Sequence, residues 1–444
     1  MQVMKWSVIA LAVAAGTSQM AVASSQSESN GFVEDSSFNI FTRALYFNRD
    51  YRNGGGNIAD ASKSSGYKSG YREDSGLGLR LLYESGFTQG TVGVGVDAFS
   101  LSSVKLDGGR GRNGNGLFGS DREGRPEDTQ SQVGGAIKFR ISDTVLKYGN
   151  QFVASPVFST DDSRILPETA TGTYLVSNEI KGLELSAGRF TALSSQTGSS
   201  RDDINGRDDN GNKLRGLTST NFGGANYQFT DNFSAGYHYA DTEDYWKKHY
   251  INANYTIPFS DDQSLNFDLN AYRTKSQGQE RGEKVDNKLW SLAGAYSFGA
   301  HTVTLAYQQS SGETPYAYGV DGNGTVWVAN AVTNEFWSED EKSAQVRYDI
   351  DMSAYGVPGL SFMARYVKGW NVTSDAGTDG KEHELGFSAK YVIQDGAAKD
   401  LSLRLALNRA RADQVAANGA ANFGGASGDF NEVRFFIDYP LSVL

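Results

Sequence analysis

The sequence contains no cysteine. This excludes a disulfide framework, thiolate catalysis and thiolate-held metal or iron–sulfur sites. It has no run of ~18 uninterrupted apolar residues after its first two dozen positions, so no transmembrane helix is predicted. It has no concentrated basic tail: 41 Lys and Arg stand against 52 Asp and Glu, for a formal charge of −11, which argues against nucleic-acid binding. Histidine is scarce. His238, His249, His301 and His383 fall in no H-E-x-x-H, and there is no G-x-S-x-G, so no enzyme, metal or cofactor is predicted. His301 falls at a short turn and reads as a surface residue. What is abundant is Gly (52), Phe (24) and Tyr (23), beside a hydrophobic fraction of 39% in 444 residues. Such aromatic richness argues against disorder. At roughly 150 residues per domain the length suggests two to four soluble domains, yet no linker divides the chain.

The N-terminus supplies a compartment. Lys5 is a short basic region and residues 6–16 (WSVIALAVAAG) form an apolar core too short to span a bilayer. Ala21-Val22-Ala23 is an A-x-A cleavage site. Together these read as a Sec signal peptide over residues 1–23. Its removal takes Lys5 out of the −11 total and leaves a mature chain, 24–444, at −12.

From Ser36 onward the chain repeats one pattern. Segments of about ten to fourteen residues alternate apolar with small or polar side chains, which puts one set on each face of a strand. Leu401, Leu403, Leu405 and Leu407 oppose Ser402, Arg404, Ala406 and Asn408; Leu265, Phe267, Leu269 and Ala271 oppose Asn266, Asp268 and Asn270. Short Gly-, Asp-, Asn-, Ser- and Pro-rich turns alternate with mostly longer polar tracts. The count is eighteen strands, the first from near Ser37, the third from near Gly86, the sixteenth from near Glu382 and the last from near Asp429. The expected fold is all-β: a single transmembrane antiparallel barrel of 18 strands with short periplasmic turns and long extracellular loops. A solenoid would show a short fixed repeat, and none is present; a sandwich would not alternate its connection lengths so regularly. Aromatics at strand ends (Tyr46, Tyr83, Phe298, Tyr366, Tyr391, Tyr439) suit interfacial girdles. At this size a barrel leaves an aqueous channel.

Taking the less apolar parity of each strand as the lumen face, the last five strands each place one cation inward: Arg347, Arg365, Lys390, Arg404 and Arg434. The first strand, which closes against the last, adds Arg43. These six lie about four to seven residues from the periplasmic ends of their strands, so one common band is expected; the inward side is favoured because an Arg facing lipid at the midplane costs roughly 2–4 kcal/mol. Guanidinium forks in a narrow pore bind carboxylates bidentately and can hand an anion onward. The same residues could instead pair with lumen carboxylates and hold the wall. A smaller inward basic group comprises Arg80, Lys138, Arg140 and Lys147. The tract 154–170 (ASPVFSTDDSRILPETA) is too apolar for an ordinary extracellular loop and is expected to fold inward as a constriction. Asp161, Asp162, Arg164 and Glu168 would then set acidic groups facing the basic wall and create a transverse field. The seventh loop, 312–341, carries Tyr316, Tyr318, Trp327, Phe336 and Trp337; whether it also folds in stays open. Loop 108–128 is mixed in charge and expected to be mobile.

Several runs resemble the OprD porin family: SGFTQGTVGVGVDA (85–98), LKYGNQ (146–151), DDSRILPETATG (161–172), SNEIKGLELSAGRFT (177–191), YGVPGLSFMARY (355–366), AKDLSLR (398–404) and NEVRFFIDYPLSVL (431–444). The resemblance covers essentially the whole mature chain. It implies an 18-stranded barrel in the outer membrane of Gram-negative bacteria that passes small carboxylates, such as amino acids and aromatic or aliphatic acids, along a basic ladder. By motif position it implies pore roles for Arg164, Arg365 and Arg404. It also points to Arg189, which alternation puts on the lipid parity. The expected partners are outer-membrane lipid and lipopolysaccharide, small carboxylate substrates and the barrel-assembly machinery. Monomer and trimer are both open, and an adhesin or receptor using the long loops is the alternative function. The C-terminal apolar set (Phe435, Ile437, Tyr439, Leu441) is out of phase with the usual assembly signal, and the chain ends in Leu444 rather than Phe.

Overall fold

The computed structural model describes residues 26–52, 71–121, 123–199, 201, 216–419 and 429–444. The export signal expected at 1–23 lies outside them.

Alternating side chains produce eighteen antiparallel strands in one sheet, each paired with its sequence neighbours. The sheet closes where β1 (Ser37–Tyr51) pairs with β18 (Phe430–Ser442), in register from Asn39↔Ser442 to Tyr51↔Phe430. Closure leaves no unpaired strand edge, which a barrel crossing lipid requires. The outward parity is apolar and exposed, as at Val133, Leu305, Val346, Leu385 and Leu407. Outward aromatics gather near the short turns: His301 bonds the hydroxyls of Tyr348 and Tyr355 in that belt.

Two boundaries differ from the sequence reading. Strand β3 (Gly93–Gly108) starts later, because the N-terminal segment occupies 86–92: the Gly86 amide donates to the Phe32 carbonyl, and Gln26 donates to the carbonyls of Thr88 and Gly90. Strand β16 (Gly377–Val392) starts earlier and joins β15 (Leu360–Ser374) through residues 375–376 alone. This hairpin extension stands beyond the apolar band, so it shows no apolar alternation. It is covered by a short helix, α1 (Gln414–Gly419), through Ser374 donating to the Val415 carbonyl.

The buried apolar core lies inside the barrel. One cluster joins Val157 and Phe158 of the third loop (152–168) to the inner wall at Phe190, Phe222, Tyr250 and Tyr272, and to Tyr316, Val320 and Trp337 of the seventh loop (313–341). Phe158 stacks on Phe190 at 4.7 Å and on Phe222 at 5.8 Å. A second cluster joins Ile165 and Leu166 to Leu45, Phe47 and Leu101, and to Leu117 and Phe118 of the second loop. Loops therefore fold into the lumen and pack against its inner wall. The second loop is packed inward: Asn113, Asn115, Leu117 and Phe118 are all buried. A short apolar pair within a charged, Gly-rich tract shows no periodicity, so alternation could not reveal it.

Candidate translocation path and eyelet

Three inserted loops narrow the lumen, and the wall they leave uncovered is basic. The inner face of β2 (Tyr71–Glu84) admits two of the loops because it carries glycine. A Cβ at Gly76 would lie 2.5 Å from Phe118, and one at Gly78 would lie 2.6 Å from Ile165. The third loop is fastened there by charge. Asp162 pairs with Arg43 at 3.1 Å and with Arg80 at 2.6 Å. Arg43 also donates to the Asp162 and Arg164 carbonyls, and Arg80 to the Ile165 carbonyl. On its far side the loop is clasped to the seventh. Glu168 accepts from the Asn323 amide group and from the main-chain N–H of Asp161 and Asn323. Burial and the neighbouring Asp161 push the Glu168 carboxyl up to about 8. The seventh loop is held to β10 (Trp246–Ser260) by Lys248, which pairs with Asp321 at 2.5 Å with both side chains fully buried.

This geometry changes the expected field. Asp162 does not stand across an opening from the basic wall but lies against it, between Arg43 and Arg80. Glu168 points away from that wall, toward the seventh loop. Asp161 is engaged by Ser163 and Gln196. A buried carboxylate needs a partner, and each acid of the loop has found one at close range. Arg164 lies with the cations: it donates to the Asn115 carbonyl and the Ser163 hydroxyl and stands 5.4 Å from the Phe47 ring. Loss of water and the nearby Arg434 hold its guanidinium down to about 10.

All six expected ladder residues lie on the inward parity of their strands. In the hydrogen-bonded register they are staggered. Arg347 and Arg365 are opposite each other in register. Arg434 is one inward step further toward the short-turn end, Lys390 and Arg404 face each other at the next, and Arg43 is opposite Asp438 at the one after. Each inward step is two residues, or about 6.8 Å of strand. The antiparallel register, which sequence counting cannot supply, sets this stagger.

Their partners divide them. Arg347 is forked onto Asp349 at 2.7 Å, and Arg365 pairs with Glu384 at 2.8 Å. Arg434 pairs with Glu432 at 2.7 Å, and Arg43 pairs with Asp438 at 2.8 Å. Arg404 and Lys390 have no carboxylate within ion-pair distance among the described residues. Arg404 lies 3.9 Å over the Phe436 ring. Sequence reasoning missed Arg49, which shares Glu432 with Arg434. It sits on the same inward parity as Arg43, so alternation could have found it.

The smaller basic group is tied up elsewhere. Lys138 and Lys147 share Asp97, at 2.6 and 2.5 Å, and Arg140 donates to Gln26 of the N-terminal segment. Arg80 belongs to the Asp162 clamp. Arg189 is exposed on the outward face of β7 (Leu183–Ser194) and donates to Asn221. The only register break nearby comes after it, between Gly172↔Phe190 and Thr171↔Ala192, so no bulge turns it inward.

A closed 18-strand barrel with a basic inner wall and loops folded into its lumen has close counterparts. Residues 30–443 match the family model described as outer membrane porin, OprD family. The chain belongs to the OprD family of outer-membrane porins. It is 44% identical to Porin D of Pseudomonas aeruginosa, over the full length of both chains. Among solved structures, OccAB1 of Acinetobacter baumannii superposes with a TM-score of 0.83 at 34% identity, over 95% of this chain and all of that one. OpdK of P. aeruginosa, solved with vanillate, superposes with a TM-score of 0.79 at 30% identity, over 93% of this chain and all of that one. The porin is thus an outer-membrane protein that crosses its bilayer with strands. Among the described residues no helix is long and apolar enough to cross a membrane.

Proposed function

We propose that this porin passes small carboxylate-bearing solutes by passive diffusion, and that Arg404, Lys390 and Arg164 bind the carboxylate at the eyelet. The observation that carries this reading is the division of the basic wall. Five of its cations (Arg43, Arg80, Arg347, Arg365 and Arg434) are engaged by acids of the protein itself. Arg404, Lys390 and Arg164 have no such acid among the described residues, so their charge is available to a passing anion. An aromatic face beneath a guanidinium keeps it oriented without neutralising it, as Phe436 does for Arg404. The paired members act as scaffold and set the potential through which the anion descends. A carboxylate can be held by two or three such groups in turn, each too weak to trap it. The vanillate named with the OpdK structure is itself an aromatic carboxylate, which agrees with this chemistry.

The reading includes Sec export with cleavage after Ala23, folding by the barrel-assembly machinery and a surround of outer-membrane lipid including lipopolysaccharide. Liposome uptake over a panel of amino acids, aromatic acids and aliphatic acids, paired with planar-bilayer recording, tests the central statement. Carboxylates should enter faster than their amides and produce current blocks. Equal uptake of acid and amide, unchanged in an Arg404→Ala, Lys390→Ala double variant, would sink it.

A further inference from the structure

Basic side chains also gather on the outside of the barrel, where the carboxylate path cannot use them. Strands β14 (Lys342–Asp351), β15, β16 and β17 (Ser402–Ala412) turn Lys342, Lys368, His383, Arg409 and Arg411 outward near their long-loop ends. The inward neighbours Glu382 and Glu384 are buried, which fixes the parity. Lys368 is directly opposite His383, and His383 directly opposite Arg411. Basic groups aligned across strands on one face repel one another whenever they are charged. The only outward acid on these four strands is Asp379, in the extension beyond the apolar band. Arg411 is 3.5 Å from Asp429. Lys368 and Arg409 have no carboxylate within ion-pair distance among the described residues. A basic row in which Lys368 and Arg409 have no counter-charge among the described residues, in a chain of net charge −11, calls for an external anion.

What lies beneath the row says which anion. Leu385 is in register with both Tyr366 and Arg409, and Leu407 with Phe387. Tyr366 is 41%, Leu385 52%, Phe387 39% and Leu407 38% exposed, an apolar surface that begins in the register row of Arg409, one step below Lys368 and His383, and continues in the next row. A soluble phosphate would use only the charges. A phosphate-bearing headgroup with acyl chains would use both, with its chains along the apolar strip and its phosphate on the row.

We propose that the outward faces of β14–β17 form a docking surface for a phosphorylated lipid of the outer leaflet, with Lys368 and Arg409 as its main phosphate contacts. This rests on the outer-membrane location of the barrel and not on the carboxylate reading, since both residues face away from the lumen.

The test uses the intact porin in nanodiscs containing diphosphoryl lipid A, dephosphorylated lipid A or neither, with inorganic phosphate as a further arm. Thermal unfolding and native mass spectrometry report binding. Diphosphoryl lipid A should raise the unfolding temperature above the dephosphorylated form and remain as an adduct. A Lys368→Gln, Arg409→Gln variant should bind it about tenfold more weakly or worse, with single-channel conductance unchanged. Equal stabilisation by the two lipids, full retention of the adduct by the variant, or an equal effect of inorganic phosphate would each overturn the proposal. Should the variant not fold, the comparison of the two lipids on the unaltered porin still decides. Loss of lipid binding with normal uptake leaves the two proposals separately judged.

Discussion

At the scale of single residues, the inward arginines are not equivalent, although sequence alternation treats them alike. Arg347 and Asp349 sit two apart on one strand face and neutralise each other at 2.7 Å. Arg404 and Lys390 face each other across β16 and β17 with no acid between them. Replacing both by Ala should lower carboxylate uptake at least about tenfold, since one lost carboxylate contact of ~1.4 kcal/mol already has that effect. Replacing Arg347 alone should change it little, because a pair that is already satisfied offers little to a substrate. Initial rates of liposome uptake for the two variants, side by side, check this ranking; a larger effect at Arg347 would contradict it.

At the scale of elements, the eyelet is made by loops and depends on how they are fastened. Asp162 secures the third loop to β1 and β2 through two arginines. Changing Asp162 to Ala leaves Arg80 with only the Ile165 carbonyl, at a cost of roughly 1.5–3 kcal/mol for lost charge-assisted hydrogen bonds. The loop should then leave the wall, and single-channel conductance should rise with added open-state noise. The clasp on the other side responds to pH. The Glu168 carboxyl, raised from 4.5 to about 8, keeps its proton in the folded loop where an unfolded chain would have lost it. Its contribution is therefore greatest at low pH and declines as pH rises toward about 8. Recordings at pH 9 should show more frequent transitions to larger substates than recordings at pH 6. Glu168→Gln, which cannot ionise, should show no such difference.

At the scale of the whole molecule, the fold reverses the usual arrangement of a soluble protein. Apolar residues face outward to lipid while an aromatic core, charges and loops share the interior. The two faces should tolerate charge unequally. Phe387 is outward on β16, and its neighbour Ser388 is inward. Phe387→Arg should destabilise the barrel by roughly 2–4 kcal/mol, measured by urea unfolding in liposomes. Ser388→Arg, facing the lumen, should cost clearly less. The charge balance divides in the same way: a net −11 chain carries a basic strip inside, beside the path, and a basic row outside, beside the lipid.

Much of this was legible in the sequence because strand alternation has period two and turns have their own residue chemistry. The eighteen strands, the closure of β1 on β18, the inward side of Arg43, Arg365 and Arg404 and the outward side of Arg189 all follow from parity, which needs no distant contact. The insertion of the third loop was legible as well, because 154–170 is too apolar for water. Other features depended on contacts between residues far apart in the chain. The Asp162 clamp spans 119 positions to Arg43, and the Glu168–Asn323 clasp spans 155. The second loop enters the lumen because Phe118 and Ile165 meet over Gly76 and Gly78. Parity tells which way a side chain points, but not what it meets there. The sequence by itself therefore determined the barrel and its basic inner face. Only the tertiary structure, through register and loop packing, decided which of those cations the protein pairs with its own acids and which, among the described residues, it leaves without one.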